Sequence, residues 1–271
     1  VAELLAYFNE NHHPEGDRIY AMSHSDDIEF KTGVNQWIQD TYAAHVAEHM
    51  VDVSILGGTI LSKSPGTGQI NPHRDWNLVN EERFRSCNAW VPLIDTTIEN
   101  GAIQFLPKSH LIRPLYRAIN GNHSEDDQLR FVEDFLWHNM EPTPMKAGHA
   151  FIYDHRLIHA SRDNNSDIVR PAMACVITPK NAEQRLYYVN ETPNGKRFEE
   201  YNLKTDHLLR DDRFEVPDAS LRTRTFDYDT GYYDESHFDG LGLSPLPKEE
   251  PKIEKRRNSG ILHRLRSLIK M

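Results

Sequence analysis

The chain has 271 residues, of which 38% are hydrophobic and 27% charged, a composition typical of globular proteins and unlike that of a disordered chain. Its formal net charge of −10 argues against nucleic-acid binding, because surfaces that bind nucleic acids carry an excess of positive charge. No run approaches the roughly 18 apolar residues of a spanning helix, and residues 1–10 do not resemble a secretory leader, so we expect neither a membrane span nor secretion. Cys87 and Cys175 lie in apolar runs and are expected to be buried thiols, which fits a cytoplasmic location.

Patterns typical of β-strands dominate the middle of the chain. Apolar residues recur at helical spacing in residues 1–11 and 33–50, which predicts two helices before the first strand, and residues 131–138 predict a short helix in a later insertion. Short segments rich in β-forming residues predict strands at residues 53–61, 87–93, 102–106, 150–158 and 172–177. Most of these strands have no helix between them. The pattern therefore predicts an all-β core with flanking helices, built as a barrel or a two-sheet jelly roll.

The chain changes character after residue 210. Apolar periodicity is lost there, and residues 228–250 are rich in Asp, Gly, Pro and Tyr, which predicts a linker. Residues 252–271 predict a basic amphipathic helix that could contact a membrane surface, dock a partner protein or pack on its own domain. We therefore predict three parts: N-terminal helices packed on the core (1–50), a catalytic β-domain (51–210) and a C-terminal extension (211–271).

His73 and Asp75 place an imidazole and a carboxylate two residues apart. On an extended segment both side chains point to the same side, so the pair could hold one metal ion. A surface histidine beside a solvated aspartate is the common alternative for such a pair. Two histidines and one carboxylate form the ligand set of non-haem Fe(II) oxygenases, so a metal site of this kind requires a second histidine.

A candidate second histidine ends a strand-like run at His159-Ala160-Ser161, with Arg170 further along. Together with four other short motifs, this run resembles the phytanoyl-CoA dioxygenase family over roughly residues 53–179. Lys108 is a departure, because the family often has Gly there, and the turn tolerates lysine if its backbone need not be left-handed. The motifs stand in the family's order: His73-Arg74-Asp75, Trp90-Val91-Pro92-Leu93, Asn100-Gly101-Ala102, Pro107-Lys108-Ser109-His110, and His159-Ala160-Ser161 with Arg170.

The resemblance implies a double-stranded β-helix, the cupin-like form of the jelly roll, with a bound iron ion and a site for 2-oxoglutarate. A guanidinium group matches the distal carboxylate of 2-oxoglutarate, and a nearby hydroxyl can donate one more hydrogen bond. The implied cofactors are Fe(II), 2-oxoglutarate as cosubstrate, and O2. The implied residues are His73, Asp75 and His159 for iron, Arg170 with help from Ser161 and Trp90 for 2-oxoglutarate, and His73, Asp75, His159 and Arg170 as the catalytic set.

The implied reaction is an oxidation of a small molecule. Asp75 fills the ligand position that related halogenases leave open for chloride, so the expected reaction is hydroxylation of an unactivated carbon of a small-molecule or lipid-like substrate, with release of succinate and CO2. One alternative is a non-catalytic β-barrel binding protein that keeps the metal site as a relic, against which the intact ligands argue. The other is a cupin-like metalloenzyme that does not use 2-oxoglutarate, against which Arg170 argues.

Other polar residues near the motifs carry weaker patterns. His155 shares strand parity with the second metal histidine, so it could line the pocket, orient a ligand or be a core histidine. Trp76, Asn77 and Arg83 follow the first motif, where substrate-facing loops often lie. Lys63 is explained as well by a surface position as by contact with the cosubstrate, and it stays outside the predicted site.

Overall fold

The computed structural model describes residues 1–11, 19–112, 116–119, 128–192, 195–202, 205–210, 213–227 and 232–246. The basic helix predicted for residues 252–271 lies outside the described residues, so its contact with a membrane surface or a partner protein stays a prediction. Of the helices in the described ranges, none combines the length and the apolar character needed to cross a membrane.

Two N-terminal helices precede the long strands. The first, α1 (Ala2–Asn11), confirms the helix predicted there. The second, α2 (Ile28–His49), begins earlier than predicted because Asp27 caps it: the Asp27 carboxylate accepts a hydrogen bond from the Phe30 amide at 3.0 Å. Gly33, at which the sequence predicted the start, lies inside the helix, where glycine costs ~1 kcal/mol relative to alanine.

Two sheets carry the site, and every pair of neighbouring strands in them is antiparallel. In the described residues they are β1 (Tyr20–Ala21), β2 (Val53–Lys63), β3 (Ile70–His73), β4 (Cys87–Pro92), β5 (Ile103–Phe105), β6 (Glu141–Pro142), β7 (Phe151–Asp154), β8 (His159–Ser161) and β9 (Arg170–Pro179). The larger sheet has the order β1-β2-β9-β4-β7, and the smaller sheet has the order β3-β8-β5-β6.

The pairing of these strands is nested: β2 pairs with β9, β3 with β8, β4 with β7, and β5 with β6. Nesting of this kind arises when one long antiparallel ribbon folds over on itself, which produces a jelly roll. The predicted all-β core with flanking helices, in its double-stranded β-helix form, is therefore confirmed. The nesting also brings β3 and β8 together although they are far apart in sequence.

Helix α2 packs directly on β2 because a glycine leaves room for it. A Cβ atom at Gly58 would lie 2.5 Å from Ile38 Cγ2 and 2.7 Å from the carbonyl oxygen of Ala174, too close for a side chain. The Gly58 amide instead donates a hydrogen bond to Asn35 Oδ1 on α2 at 2.8 Å. This close contact buries Ile38 completely and fixes the helix on the larger sheet.

A third antiparallel sheet follows the jelly roll and was not foreseen in the sequence. It contains β10 (Leu186–Thr192), β11 (Gly195–Tyr201) and β12 (Arg222–Asp227). Ion pairs join β12 to β11: Arg222 Nη1 lies 2.7 Å from Glu199 Oε1, and Arg224 Nη2 lies 3.1 Å from Glu200 Oε2. Charged residues are typical of the protein surface and show no apolar periodicity. The sequence therefore did not predict a strand where β12 forms. The division of the chain at residues 50 and 210 stays a prediction.

The described part of the predicted linker, residues 232–246, packs on the core. Tyr233 is 3% exposed and Phe238 is 2% exposed. Both belong to a core cluster with α3 (Glu133–Asn139), the short helix predicted near residues 131–138. The linker interpretation is therefore wrong for residues 232–246, because Tyr233 and Phe238 supply packing that periodicity does not reveal.

We predict that Phe238→Ala destabilises the fold by ~3–5 kcal/mol, because it removes a buried ring and leaves a cavity beside Phe135 and Tyr233. Phe131→Ala is the matched control, since Phe131 is 66% exposed and its loss should cost about 1 kcal/mol or less. Urea unfolding of both variants measures the difference. Equal stability of the two variants would contradict the packing of this segment.

Candidate functional site

The pairing of β3 with β8 brings two predicted metal ligands face to face. His73 at the end of β3 lies opposite His159 at the start of β8, and their ring centroids are 4.2 Å apart. Asp75 Oδ1 lies 4.0 Å from His73 Nε2 and 3.9 Å from His159 Nε2. Each of these residues offers a potential ligand atom within 4.8 Å of the others, so one ion could bind all three. Within the described ranges, no other group of His, Cys, Asp or Glu side chains meets this criterion.

Backbone carbonyls orient both imidazole rings. His73 Nδ1 lies 2.8 Å from the Asn71 carbonyl oxygen, and His159 Nδ1 lies 3.1 Å from the Leu157 carbonyl oxygen. A carbonyl only accepts, so each Nδ1–H donates, and Nε2 is the ring nitrogen that faces Asp75. Metal-binding histidines are commonly held in this way.

The charge states also suit a cation. Burial, and next the neighbouring His73, lower the pKa of His159 to about 4, so this imidazole is neutral at pH 7. Burial by itself would raise the pKa of Asp75, but the neighbouring histidines and a hydrogen bond from Asn88 lower it to about 2. Because metal ligation requires neutral imidazole and ionised carboxylate, His159 and Asp75 have the charge states that ligation needs at neutral pH.

The two carboxylate oxygens of Asp75 face different neighbours. Oδ1 faces the two metal histidines, whereas Oδ2 lies 4.0 Å from His155 Nε2 and 3.5 Å from Asn88 Nδ2. His155 is 1% exposed, and its Nδ1 lies 2.9 Å from Ser86 Oγ. Its Nε2 is buried and makes no hydrogen bond to the described residues. Of the roles considered for His155, this geometry favours orientation of the Asp75 carboxylate.

A small cavity of about 120 Å³ joins this cluster to the predicted 2-oxoglutarate residues. It is lined by His73, Asp75 and His159 on one side and by Trp90, Ser161 and Arg170 on the other. Arg170 is 2% exposed, its Nη2 donates to the Gly101 carbonyl at 3.3 Å, and its guanidinium carbon lies 5.4 Å from the centre of the Trp90 ring. Its Nε is buried without a hydrogen-bond partner in the described part of the chain. Every residue predicted for the site therefore lies at one cavity.

Lys63 lies beside this cavity. The sequence had left open whether this lysine is at the surface or contacts the cosubstrate. It is fully buried and lies opposite Arg170 in the pairing of β2 with β9. Its Nζ donates to Ser161 Oγ at 2.6 Å and to the carbonyl of Arg162 at 2.7 Å. Burial, and next the nearby Arg170, lower the pKa of Lys63 to about 6. A lysine inside an apolar strand pattern is the available sequence signal, because lysine is rarely buried without a role.

Three further neighbours of the cluster were missed. The Tyr153 hydroxyl lies 3.1 Å from His159 Nε2, and Asn88 Nδ2 donates to the same hydroxyl at 3.1 Å. Arg117 donates from Nε to the Asp75 carbonyl and pairs with Glu81, so it fixes the backbone of a predicted ligand. No spacing pattern marks these residues, because each comes from a different strand or loop.

A larger cavity of about 600 Å³ lies on the other side of His73 and Asp75. Trp76 lines it, in agreement with its suggested role in substrate contact. Asn77 instead accepts a hydrogen bond from the Arg117 amide at 2.6 Å and is buried. Arg83 is exposed and lies over the ring of Phe84, 5.3 Å from its centre. Of these three residues, Trp76 lines the cavity, whereas Asn77 and Arg83 do not.

Lys108 does adopt the left-handed conformation, with φ 62° and ψ 1°. The condition under which the sequence allowed lysine at this turn is therefore not met, and the conformation costs ~1–2 kcal/mol for a residue other than glycine. The following residue offsets this cost, since Ser109 is buried and its Oγ accepts a hydrogen bond from the Ile158 amide at 2.8 Å. The turn thus holds the backbone immediately before His159.

We predict that His73→Ala, Asp75→Ala and His159→Ala each abolish tight binding of a divalent transition metal, because each removes one of three candidate ligands. Co(II) titration followed by visible absorption measures this directly, with circular dichroism to confirm folding. His149→Ala is the control, since His149 is exposed and does not line the cavity. A variant of the three that binds Co(II) like the parent would exclude that residue as a ligand.

We predict that His155→Leu weakens metal binding by about 10- to 100-fold, the usual cost of losing a group that orients a ligand. His155→Gln should restore much of the affinity, because its amide nitrogen can donate toward Asp75 Oδ2 from a similar position. Competition against a chelator of known affinity measures both variants. Equal affinities for the Leu and Gln variants would mean that His155 acts only through packing.

Solved structures of related fold provide one comparison. SnoN, a non-heme alpha-ketoglutarate-dependent epimerase from nogalamycin biosynthesis, aligns with a TM-score of 0.48 and 20% identity over 68% of this chain and 75% of its own. HygX from Streptomyces hygroscopicus, solved with nickel, 2-oxoglutarate and hygromycin B, aligns with a TM-score of 0.46 and 13% identity over 66% of this chain and 78% of its own.

Curated relatives provide a second comparison. Phytanoyl-CoA dioxygenase domain-containing protein 1 of Danio rerio is 30% identical over 126 residues, which are 45% of this chain and 43% of that protein. Phytanoyl-CoA dioxygenase of Arabidopsis thaliana is 29% identical over 123 residues, which are 44% of this chain and 42% of that protein. The match therefore spans less than half the length of these relatives.

A family model gives the broadest match. The model described as phytanoyl-CoA dioxygenase (PhyH) matches residues 7–172, which is more than half of the chain. The matched range includes both sheets of the jelly roll up to the start of β9, together with the metal cluster and Arg170. The chain belongs to the phytanoyl-CoA dioxygenase family, which uses Fe(II), 2-oxoglutarate and O2, so the cofactor set predicted from the sequence is confirmed for the family.

Proposed function

We propose that this protein is an Fe(II)- and 2-oxoglutarate-dependent dioxygenase that hydroxylates an unactivated carbon of a small-molecule or lipid-like substrate and releases succinate and CO2. The observation that carries the proposal is one cavity that joins a cluster of two histidines and one aspartate to a buried arginine. We assign iron to His73, Asp75 and His159. We further propose a cytoplasmic location, which the free thiols of Cys87 and Cys175 support.

The donor set fits iron. Two imidazoles and one carboxylate leave ligand positions for a cosubstrate and oxygen, and iron bound there would supply the oxidising chemistry. The chain itself orients these donors: carbonyls hold Nδ1 of both histidines, and Arg117 holds the Asp75 carbonyl. With Asp75 present, the position that a halide would need is filled, which supports hydroxylation.

The second part of the cavity suits a dicarboxylate. Arg170 and Lys63 lie opposite each other in the pairing of β2 with β9, and in the described residues they donate hydrogen bonds to backbone carbonyls and to the Ser161 hydroxyl. The Arg170 guanidinium is almost fully buried, and its Nε has no hydrogen-bond partner in the described residues, which favours an anionic ligand. We assign the far carboxylate of 2-oxoglutarate to Arg170 and Ser161, with Trp90 as the wall on which the guanidinium lies. Lys63 joins this set as a further contact.

The arrangement of the chain would also control water. The cosubstrate residues are almost fully buried, with Arg170 at 2% and Ser161 at 5% exposure, so a bound carboxylate would meet fixed donors and little solvent. The larger cavity meets the metal cluster at His73 and Asp75, where a substrate carbon could approach. Positioning of that carbon by the cavity walls would then select the oxidised position.

We predict succinate release when the protein is supplied with Fe(II), 2-oxoglutarate and O2, and its loss in Arg170→Ala. Arg170→Lys should weaken 2-oxoglutarate binding by ~10- to 150-fold, since it removes a bidentate, charge-assisted contact. Titration of 2-oxoglutarate into the anaerobic Fe(II) protein, followed by its absorption band, measures the affinity. Arg83→Ala is the control, because Arg83 is exposed.

Each alternative function gives a different result in these assays. A binding protein with a relic site would bind metal but release no succinate, with or without added substrates. A metalloenzyme that does not use 2-oxoglutarate would show no absorption band on titration. Arg170→Ala titrating like the parent would mean that 2-oxoglutarate is anchored elsewhere.

A further inference from the structure

The larger cavity differs from the small one in the groups that it offers to a ligand. Its volume of about 600 Å³ lies within the range of sites that enclose whole small molecules. The metal cluster forms its inner end through His73 and Asp75. Its apolar lining comes from both sheets and the segments that follow them: Trp76, Leu78, Ile119, Val176, Leu208 and Phe214.

The two arginines that line this cavity are held by protein partners. Arg117 is 1% exposed and is hydrogen-bonded to the Asp75 carbonyl and to the Glu81 carboxylate. Arg74 is 2% exposed, donates to the Tyr233 hydroxyl at 2.8 Å and lies over the Tyr233 ring. Both guanidinium groups therefore present almost no surface to a ligand. An anion would have to give up water here without reaching either guanidinium, and Asp75, the carboxylate that lines this cavity, is assigned to the metal. A charged ligand therefore gains no counter-charge for the water that it loses, which is costly.

The outer wall comes from a segment beyond the family match, which ends at residue 172. Leu208 lies in a short 3-10 helix (Thr205–Leu209), and Phe214 meets Trp76 edge to face with ring centroids 5.9 Å apart. The Tyr188 hydroxyl fastens this wall: it lies 2.8 Å from His207 Nε2 and donates to the Arg213 carbonyl at 2.7 Å. The wall is thus held in place by the third sheet and is open to solvent at Phe214, which is 45% exposed.

We propose that the larger cavity binds an uncharged, predominantly apolar small molecule, and that Leu208 and Phe214 determine which molecule fits. The proposal rests on the proposed function for the reaction that follows, but the binding step does not require turnover. The apolar walls supply the affinity. Leu208 and Phe214 supply the selectivity, and they lie outside the part of the fold that the family model matches.

Three ten-carbon probes test the charge of the ligand: 1-decanol, decane-1-sulfonate and decyltrimethylammonium. Each competes with the uncharged dye Nile red for the full chain loaded with Zn(II) and 2-oxoglutarate, which cannot turn over. We expect 1-decanol to displace the dye at concentrations at least about tenfold lower than either ion, because the ions lose hydration without a partner. An ion that competes as well as 1-decanol would overturn the proposal.

Matched variants locate the binding. Leu208→Gln and Phe214→Ala should each weaken 1-decanol by about tenfold, because both remove apolar wall. Leu221→Gln and Phe131→Ala are the controls, since Leu221 is 49% and Phe131 is 66% exposed and neither lines the cavity. Wall variants that bind 1-decanol like the parent would overturn the assignment, and the probe series on the parent decides the charge even if a variant does not fold.

The outcomes separate this inference from the proposed function. Preference for 1-decanol without any succinate release would leave the apolar site intact and defeat the assigned reaction. Succinate release together with preference for an ion would keep the reaction and defeat the apolar ligand.

Discussion

The site depends on one contact between strands, the pairing of β3 with β8 that sets His73 opposite His159. These histidines are distant in sequence, and only the folding of a long ribbon on itself makes their strands neighbours. Once they are paired, the imidazole rings lie 4.2 Å apart, and the chain needs to advance only two residues to add Asp75. The same ribbon pairs β2 with β9 and so places Lys63 beside Arg170. Both halves of the cavity therefore follow from the nesting of strands.

Charge is divided between these halves in a consistent way. Near the strand ends, burial keeps His159 neutral while Asp75 stays ionised, so the cluster offers negative charge to a cation. Arg170, which also lines the small cavity, offers positive charge to an anion. A metal ion with a chelating dicarboxylate would satisfy both at once, since the Arg170 Nε is buried without a hydrogen-bond partner in the described residues.

How far the sequence could predict this arrangement depended on the kind of signal. Segments rich in β-forming residues and the ordered motifs predicted the jelly roll. The structure places the residues predicted for iron and 2-oxoglutarate at one cavity. The ion-paired strand β12 was missed because Arg222 and Arg224 read as surface residues, although they meet buried carboxylates. The burial of Tyr233 was missed for a different reason, since the aromatic residues of this polar stretch follow no helix or strand period. Tyr153 and Arg117 reach the cluster only through tertiary contacts, which no local pattern records.

The two cavities also differ in where their walls originate. All residues that line the small cavity except Ala174 on β9 lie within the family match, so the chemistry of this cavity is tied to the jelly roll itself. The larger cavity is also lined by Leu208 and Phe214, which lie between β11 and β12 of the third sheet. Tyr188 on that sheet holds their segment in place through hydrogen bonds. A change in the third sheet can therefore alter the outer wall without moving His73, Asp75 or Arg170. Under the proposed function, this separation would keep the metal cluster fixed while the accessory sheet shapes the larger cavity.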